Sequence, residues 1–360
     1  MNDLEKYLEE LVSFASYDGR PTDKNNCITH VEKFFISHGL IINHRTENET
    51  AAMVASSSGS NSPKVLLQAH LDVVPASDEM FIMKNQGSKL IGRGVFDMKF
   101  AAACYMKLVE DLTDDIKHYD LGIMLTTDEE IGGENGVGWL LDQGYSADVC
   151  ILPDAGDNWQ IETSANGVWI AKVISNGQAA HGSRPWDGSN AITSLTDCLK
   201  TIRDTFDDPD PEKSSLTISK IEGGEAMNQV PDYACATLDM RFVTSEDYQL
   251  KRIEIEKIVK HAGLGLETYA HVPNTTTDCQ QPLIKRFIEV AEQVRSKPVG
   301  RTRSFGSSDA HFFAKHDIPT ILIRPDGGGA HSDTEWVDKA SLNEFYDVLK
   351  AYVTEVAKTS

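Results

Sequence analysis

Apolar positions recur along the chain in two rhythms. Leu4, Tyr7, Leu8, Leu11 and Val12 fall at helical spacing. Ile28, Val31, Phe34 and Phe35 mark a second amphipathic helix, closed by Gly39, a favourable C-cap residue. The next runs are strand-like. LIINHRTE (40–47), AAMVAS (51–56) and KVLLQAHLDVV (64–74) are short and apolar, and the loop SSGSNSP (57–63) makes the last two strand, turn, strand. Phe100–Leu112 has helical spacing, DLGIMLTT (120–127) and DVCILPD (148–154) are further buried strands, and Gly136–Leu141 begins another helix. Strands alternating with helices predict an α/β fold, a mostly parallel sheet with helices on both faces.

After Asn166 the rhythm changes. VWIAKVISN (168–176), SLTISKIEGG (215–224) and YACATLDMRFV (233–243) read as strands, with helical stretches at Ala191–Phe206 and Glu246–His261 between them. A compact α+β insert over 167–273 follows from that pattern. From Asn274 the first rhythm resumes, with a helix over Leu283–Arg295, the strand TILIRP (320–325) and a last helix over Leu342–Ala357. The expected organisation is one α/β domain built from 1–166 and 274–360, interrupted by a smaller one.

Composition narrows the function classes. The 34 Lys and Arg against 55 Asp and Glu leave a net charge of −21, which repels nucleic acid and anionic membranes. The six cysteines are scattered without a C-x-x-C pair, as reduced, buried thiols are. MNDLEKYLEELVSF lacks the charged and apolar regions of a signal peptide, and no apolar run reaches the ~18 residues of a membrane helix. Cytoplasm is the expected address.

Chemistry-bearing residues follow the strands. His70 and Asp72, two apart, project together from the end of KVLLQAHLDVV, where open α/β sheets bind ligands. Asp97 sits in the Gly-rich turn before a helix, Glu129 and Glu130 follow DLGIMLTT, Asp154 ends DVCILPD, and His331 follows TILIRP. Each has a structural alternative: a satisfied histidine at His70, an N-cap at Asp97, a solvated acidic loop at the glutamates. Together they are the ligand types for a pair of Zn²⁺-like ions, with one carboxylate able to bridge and a spare one to act as base for water.

The motifs H-x-D-V-V-P (70–75), G-R-G-x-x-D-M-K (92–99), D-E-E-I-G-G (128–133), P-D-A-G (153–156) and A-H-S-D (330–333) resemble those of the M20 family of metallopeptidases, in order and over nearly the whole chain. That family includes glutamate carboxypeptidases, aminoacylases, acetylornithine deacetylases and succinyl-diaminopimelate desuccinylases. The resemblance implies that Asp97 bridges two divalent metals. His70 and Asp154 then complete one site, Glu130 and His331 the other. It also implies Glu129 as general base for a metal-bridging water, Asp72 as the carboxylate orienting His70, and a cis peptide after Asp97. Zn²⁺ is the expected ion, with Co²⁺ and Mn²⁺ compatible with the same ligands. Phe100 replaces a common glycine, and Val95–Phe96 replace smaller residues.

The insert carries family marks too. QAAHGSRPWDGSNAI (178–192) resembles the lid segment whose histidine, here His181, holds the oxyanion, although Asp187, Ser189 and Asn190 also look like helix-start residues. Asn228 and Arg241 match lid positions that contact substrate, Arg241 being equally suited to an internal ion pair. Gly306 and Ser308 match a pocket-lining segment. The resemblance implies a homodimer joined through the lid, with His181 acting across it. The expected substrate is a small peptide or an acetylated or succinylated amino acid. A non-catalytic binding protein on this fold would not need Glu129. A single-domain zinc aminopeptidase would lack the insert.

Overall fold

The computed structural model describes residues 2–46, 50–206 and 210–359, which leaves Glu47 of the expected LIINHRTE strand outside the described residues. The chain separates into two compact units. One comprises Met1–Thr163, Thr276–Arg303 and Ser308–Ser360; the other comprises Ser164–Thr275 and Ser304–Ser307. The junctions expected from the sequence follow 166 and 273, with 304–307 placed in the α/β domain.

The larger unit is built on a six-stranded sheet, in the order Ile41–Thr46, Ala52–Ser56, Leu121–Thr126, Val65–His70, Val149–Ile151, Thr320–Ile321. The last four run parallel to one another, and the first two add an antiparallel edge. The strands flanking the SSGSNSP loop are therefore not partners, because Leu121–Thr126 lies between them. All three are buried along their whole length. A run apolar on both faces suits an interior strand and carries no mark of its neighbour.

Helix Lys99–Leu112 is buried nearly all round, as a helix apolar on every side must be. It packs on helix Asp3–Val12, on the Val65–His70 strand and on the C-terminal helix Lys339–Val356. Phe100 fills this core edge-on to Phe345, with ring centroids 5.5 Å apart. Lys99 is fully buried, and its ammonium donates to the carbonyls of Leu11 (3.0 Å) and Phe14 (2.7 Å). It thus satisfies acceptors that the end of the first helix leaves free, where positive charge is also favoured. Among the described residues no helix is long and apolar enough to cross a membrane.

The smaller unit is a four-stranded antiparallel sheet, in the order Ser215–Gly223, Tyr233–Phe242, Gly167–Asn176, Gly265–Val272. Alternation decides its faces. Ala234, Ala236, Leu238, Met240 and Phe242 join Trp169, Ala171 and Val173 in a core with helices Ala191–Arg203 and Ser245–His261. Thr237, Asp239 and Arg241 fall on the opposite side of their strand. Asn190 caps the first helix by accepting from the N–H groups of Ile192 and Thr193.

Candidate metal centre

The parallel register sets the site. His70 pairs with Thr126 at the ends of adjacent strands, so the loops that follow leave the sheet at one edge. The neighbouring Val149–Ile151 and Thr320–Ile321 strands end at the same edge, sending out Asp154 on one side and the chain towards His331 on the other.

His70 is fully buried. Its Nδ1 lies 2.9 Å from the Asp72 carbonyl and 3.5 Å from Asp72 Oδ1, which aims the ring and leaves Nε2 facing inward. Nε2 has no hydrogen-bond partner, yet Asp97, Asp154 and Glu129 place oxygens 3.4, 3.5 and 3.9 Å from it. A satisfied core histidine would not look like this. A cation at the focus of those oxygens would satisfy the orphaned nitrogen, so the donor set fits a bound metal. Burial opposes charge on this ring, but the close carboxylates of Asp154, Asp72 and Asp97 outweigh it and hold its pKa well above the ordinary value.

Asp97 stands between the two histidines. Its Oδ1 is 3.4 Å from His70 Nε2, and its Oδ2 is 3.2 Å from His331 Nε2. His331 Nε2 is also 3.2 Å from Glu130 Oε2. Ligand atoms of His70, Asp97 and Asp154 lie within 4.8 Å of one another, as do those of Asp97, Glu130 and His331 and those of His70, Glu129 and Glu130. Asp97 is not spent as an N-cap, since helix Lys99–Leu112 starts without a side-chain cap. The Asp97–Met98 peptide is cis. Burial raises the Asp97 pKa, but the adjacent rings of His331 and His70 and the charge of Arg324 bring it well below the carboxylate range. Hydrogen bonds to Asp97 and Glu130 push His331, half exposed, up to about 10.

The two glutamates differ in their surroundings. Neither is a solvated loop residue, for their side chains are 17% and 10% exposed. Glu130 faces His331, and its N–H donates to Asp72 Oδ2 at 3.0 Å, so Asp72 ties the His70 and Glu130 loops together. Glu129 is pushed well above the usual carboxylate range by burial, then by the nearby charges of Asp154, Asp309 and Asp72. A raised pKa suits a group that must take and return a proton near neutral pH. Asp154, also buried, is raised to about 6 because burial outweighs its bond to His70.

Four further residues hold the site, and the sequence reading passed over them. Glu335 is fully buried and accepts from Gly94 N (2.9 Å), Phe96 N (2.9 Å), Asp97 N (3.1 Å) and Arg93 Nη1 (2.7 Å), fixing the Asp97 loop. Asp128 accepts from the N–H groups of Asn135 (3.0 Å) and Gly136 (2.8 Å) behind the glutamates. Asp309, buried, receives a 3.4 Å bond from Gln68. Arg324 reaches Asp157 and approaches Asp97. Glu335 was the most discoverable, lying four residues after His331 and just past the late motif.

The expected lid residues have partners of their own. His181 is exposed in the insert, paired with Gln229, and its Nδ1 accepts from Ser183 N (3.2 Å) and meets Ser183 Oγ at 2.8 Å. Asn228 is next to it, its carbonyl accepting from Gly182 N at 2.7 Å. Arg241 forms the internal ion pair: Nε and Nη2 meet the two oxygens of Asp239 at 2.7 and 3.0 Å. Its fork is engaged because Asp239 and Arg241 share a strand face. Gly306 N donates to Ser304 Oγ (3.2 Å) within the insert unit. Ser308 belongs to the larger unit, where its Oγ accepts from Ala310 N at 3.4 Å.

The sequence profile of Peptidase family M20/M25/M40 matches residues 66–355. The chain belongs to this family. It is similar to a succinyl-diaminopimelate desuccinylase of Rickettsia felis, 25% identical over 97% of this chain and 99% of that protein. Its fold is similar to that of a Staphylococcus aureus tripeptidase, with a TM-score of 0.82 at 18% identity, covering 99% of this chain and 98% of that one. A dinuclear metal binding peptidase of the M20 family from Bacillus subtilis matches with a TM-score of 0.72 at 13% identity, covering 99% and 98%. This M20 chain is a metal-dependent hydrolase of the amidohydrolase and peptidase class, using divalent ions on a small-molecule substrate.

Proposed function

We propose that the chain cleaves an amide bond in a small peptide or an N-acyl amino acid. In this reading two divalent ions are held by His70, Asp97 and Asp154 on one side and by Asp97, Glu130 and His331 on the other. The observation that carries it is Asp97, whose two oxygens face two different histidines at 3.4 and 3.2 Å. When bound, the ions supply Lewis acidity, acidifying water and polarising a carbonyl. Zn²⁺ suits the ligands, as do Co²⁺ and Mn²⁺.

Glu129 takes the proton of the attacking water and returns it to the leaving amine. Its raised pKa supports that role. Asp72 holds the His70 ring through its carbonyl. His181 donates to the developing oxyanion, and Asn228 contacts the substrate beside it. Arg241 grips a substrate carboxylate only by exchanging Asp239 for it. Gly306 and Ser308 line the pocket. The desuccinylase and tripeptidase likenesses support N-acyl amino acids and short peptides as the two classes to assay.

We further propose a cytoplasmic homodimer joined through the insert. Its edge strands Ser215–Gly223 and Gly265–Val272 are exposed along most of their length, leaving backbone groups open to a partner. All six cysteines are unpaired, which suits a reducing compartment.

The test pairs two isosteric changes, assayed on dipeptides and on N-acetyl and N-succinyl amino acids. Glu129→Gln is expected to lower turnover roughly 10²–10⁴-fold while metal content stays near that of the unmodified chain. Glu130→Gln is expected to lose metal. The reverse pattern in elemental analysis would exchange the two roles.

A further inference from the structure

Arg324 brings a positive charge against a centre built to hold positive ions. Its side chain is 11% exposed, and its guanidinium stays charged at any working pH. Nε is 2.5 Å from Asp157 Oδ1, and the guanidinium lies over the Phe96 ring, 4.4 Å from its centroid. Nη1 is buried without a hydrogen-bond partner and points at Asp97 Oδ1, 3.7 Å away. Asp157 is 52% exposed, so solvent screens it and it neutralises the guanidinium only in part.

The position of that charge is one-sided. Asp97 Oδ1 is the oxygen turned to His70, and Oδ2 is turned to His331 and, beyond it, Glu130. The guanidinium therefore stands by the His70–Asp97–Asp154 group, and its charge is also felt by Asp154. Like charges a few ångströms apart repel most strongly where water is excluded.

We propose that Arg324 is a resident counter-cation that makes the two metal positions unequal, weakening the divalent ion on the His70–Asp97–Asp154 side. The inference rests on the ligand assignment proposed above. Arg324 offsets the packed carboxylates when that position lacks its ion and opposes the ion when it arrives. One side chain therefore stabilises the metal-free fold and lowers metal affinity, two faces of one linkage. Arg324 acts through Asp97 and is a positioning residue.

Calorimetric titration of the chelated full-length chain with Zn²⁺ alone tests this, with thermal unfolding of each form as a second readout. The unmodified chain should bind in two unequal steps, and Asp154→Asn should abolish the weaker. Arg324→Met should tighten the weaker step at least tenfold and leave the stronger within about threefold. It should also melt lower without metal and gain more from metal. Arg324→Lys, which keeps the charge, should stay near the unmodified chain. Asp157→Asn, which lifts the partial neutralisation on an exposed side chain, should weaken the same step and keeps the test open if Arg324→Met fails to fold. If Asp154→Asn removes the weak step but neither Arg324→Met nor Asp157→Asn moves it in the stated direction, the Arg324 proposal is overturned and the ligand assignment stands. If Asp154→Asn leaves both steps, the assignment falls and the proposal with it.

Discussion

Glu335 takes three backbone N–H groups on one carboxylate oxygen and Arg93 on the other, all without access to water. A charge buried this deeply is tolerable because both of its oxygens are hydrogen-bonded and one of them meets a guanidinium. Glu335→Gln keeps an acceptor for the N–H groups but sets an amide against Arg93, leaving that guanidinium buried without its counter-charge. Breaking such a pair costs on the order of 3–5 kcal/mol. The expected outcome is a lower melting temperature and weaker metal retention, since the same oxygen holds the Asp97 loop in place. Unfolding curves and elemental analysis of the variant check it. Unchanged metal content alongside lowered stability would separate Glu335 from the Asp97 loop.

At the level of elements, Asp111 shows how two helices are tied outside the core. It ends helix Lys99–Leu112, pairs with Lys107 on its own helix, and meets Tyr346 and Lys350 (2.6 Å) on helix Lys339–Val356. Burial raises its pKa, but the bonds from Lys107, Lys350 and Tyr346 outweigh that and bring it down to about 2. A folded pKa below the unfolded one stabilises the protein fully above the unfolded value near pH 4, and that contribution is lost as pH falls towards 2. Asp111→Asn should cost about 1 kcal/mol at pH 7, after discounting for solvent screening of a partly exposed group. The gap between variant and unmodified melting curves should narrow between pH 5 and pH 3. A gap that stays constant over that range would mean the charge on Asp111 does not carry the tie.

Elements are also where sequence and structure part company. His70, Asp97, Glu129, Glu130, Asp154 and His331 were readable because each follows an apolar run or a glycine turn, and the parallel sheet gathers such ends at one edge. The order of the strands was not readable. Leu121–Thr126 and Val65–His70 are equally apolar on both faces, and nothing in either run names its neighbour. Glu335, Asp309 and Arg324 were hidden for a related reason. Each is a single polar residue whose partners are backbone groups or side chains far away in the chain. Arg241 was ambiguous because a free fork and an engaged one have the same sequence; the deciding residue, Asp239, is two positions away on the same face.

For the whole molecule, the proposed dimer carries its own prediction. If His181 acts on the neighbouring subunit, Glu129→Gln and His181→Ala chains are each inactive alone. Mixed under conditions where subunits exchange, they should regain activity, because one heterodimer site receives an intact Glu129 and an intact His181. With random exchange roughly half of the dimers are mixed, each with one working site of two, so recovery towards a quarter of full activity is expected. Activity of the exchanged mixture, with exchange proven by labelled subunits, is the measurement. No recovery would place His181 in its own subunit's reaction.

The side chains gathered around Asp97 also impose an order in time. His70, Asp97, Glu130 and Asp154 are all synthesised before the insert begins, whereas Arg324, His331 and Glu335 are added only after it. At ~5–20 residues per second, ribosomes need roughly ten seconds or more to travel from the first group to the second. During that interval the early carboxylates have neither the guanidinium that offsets them nor the glutamate that fixes their loop. A nascent chain therefore carries half a centre, open on one side, and assembly closes only once the stretch after the insert folds back onto the one before it.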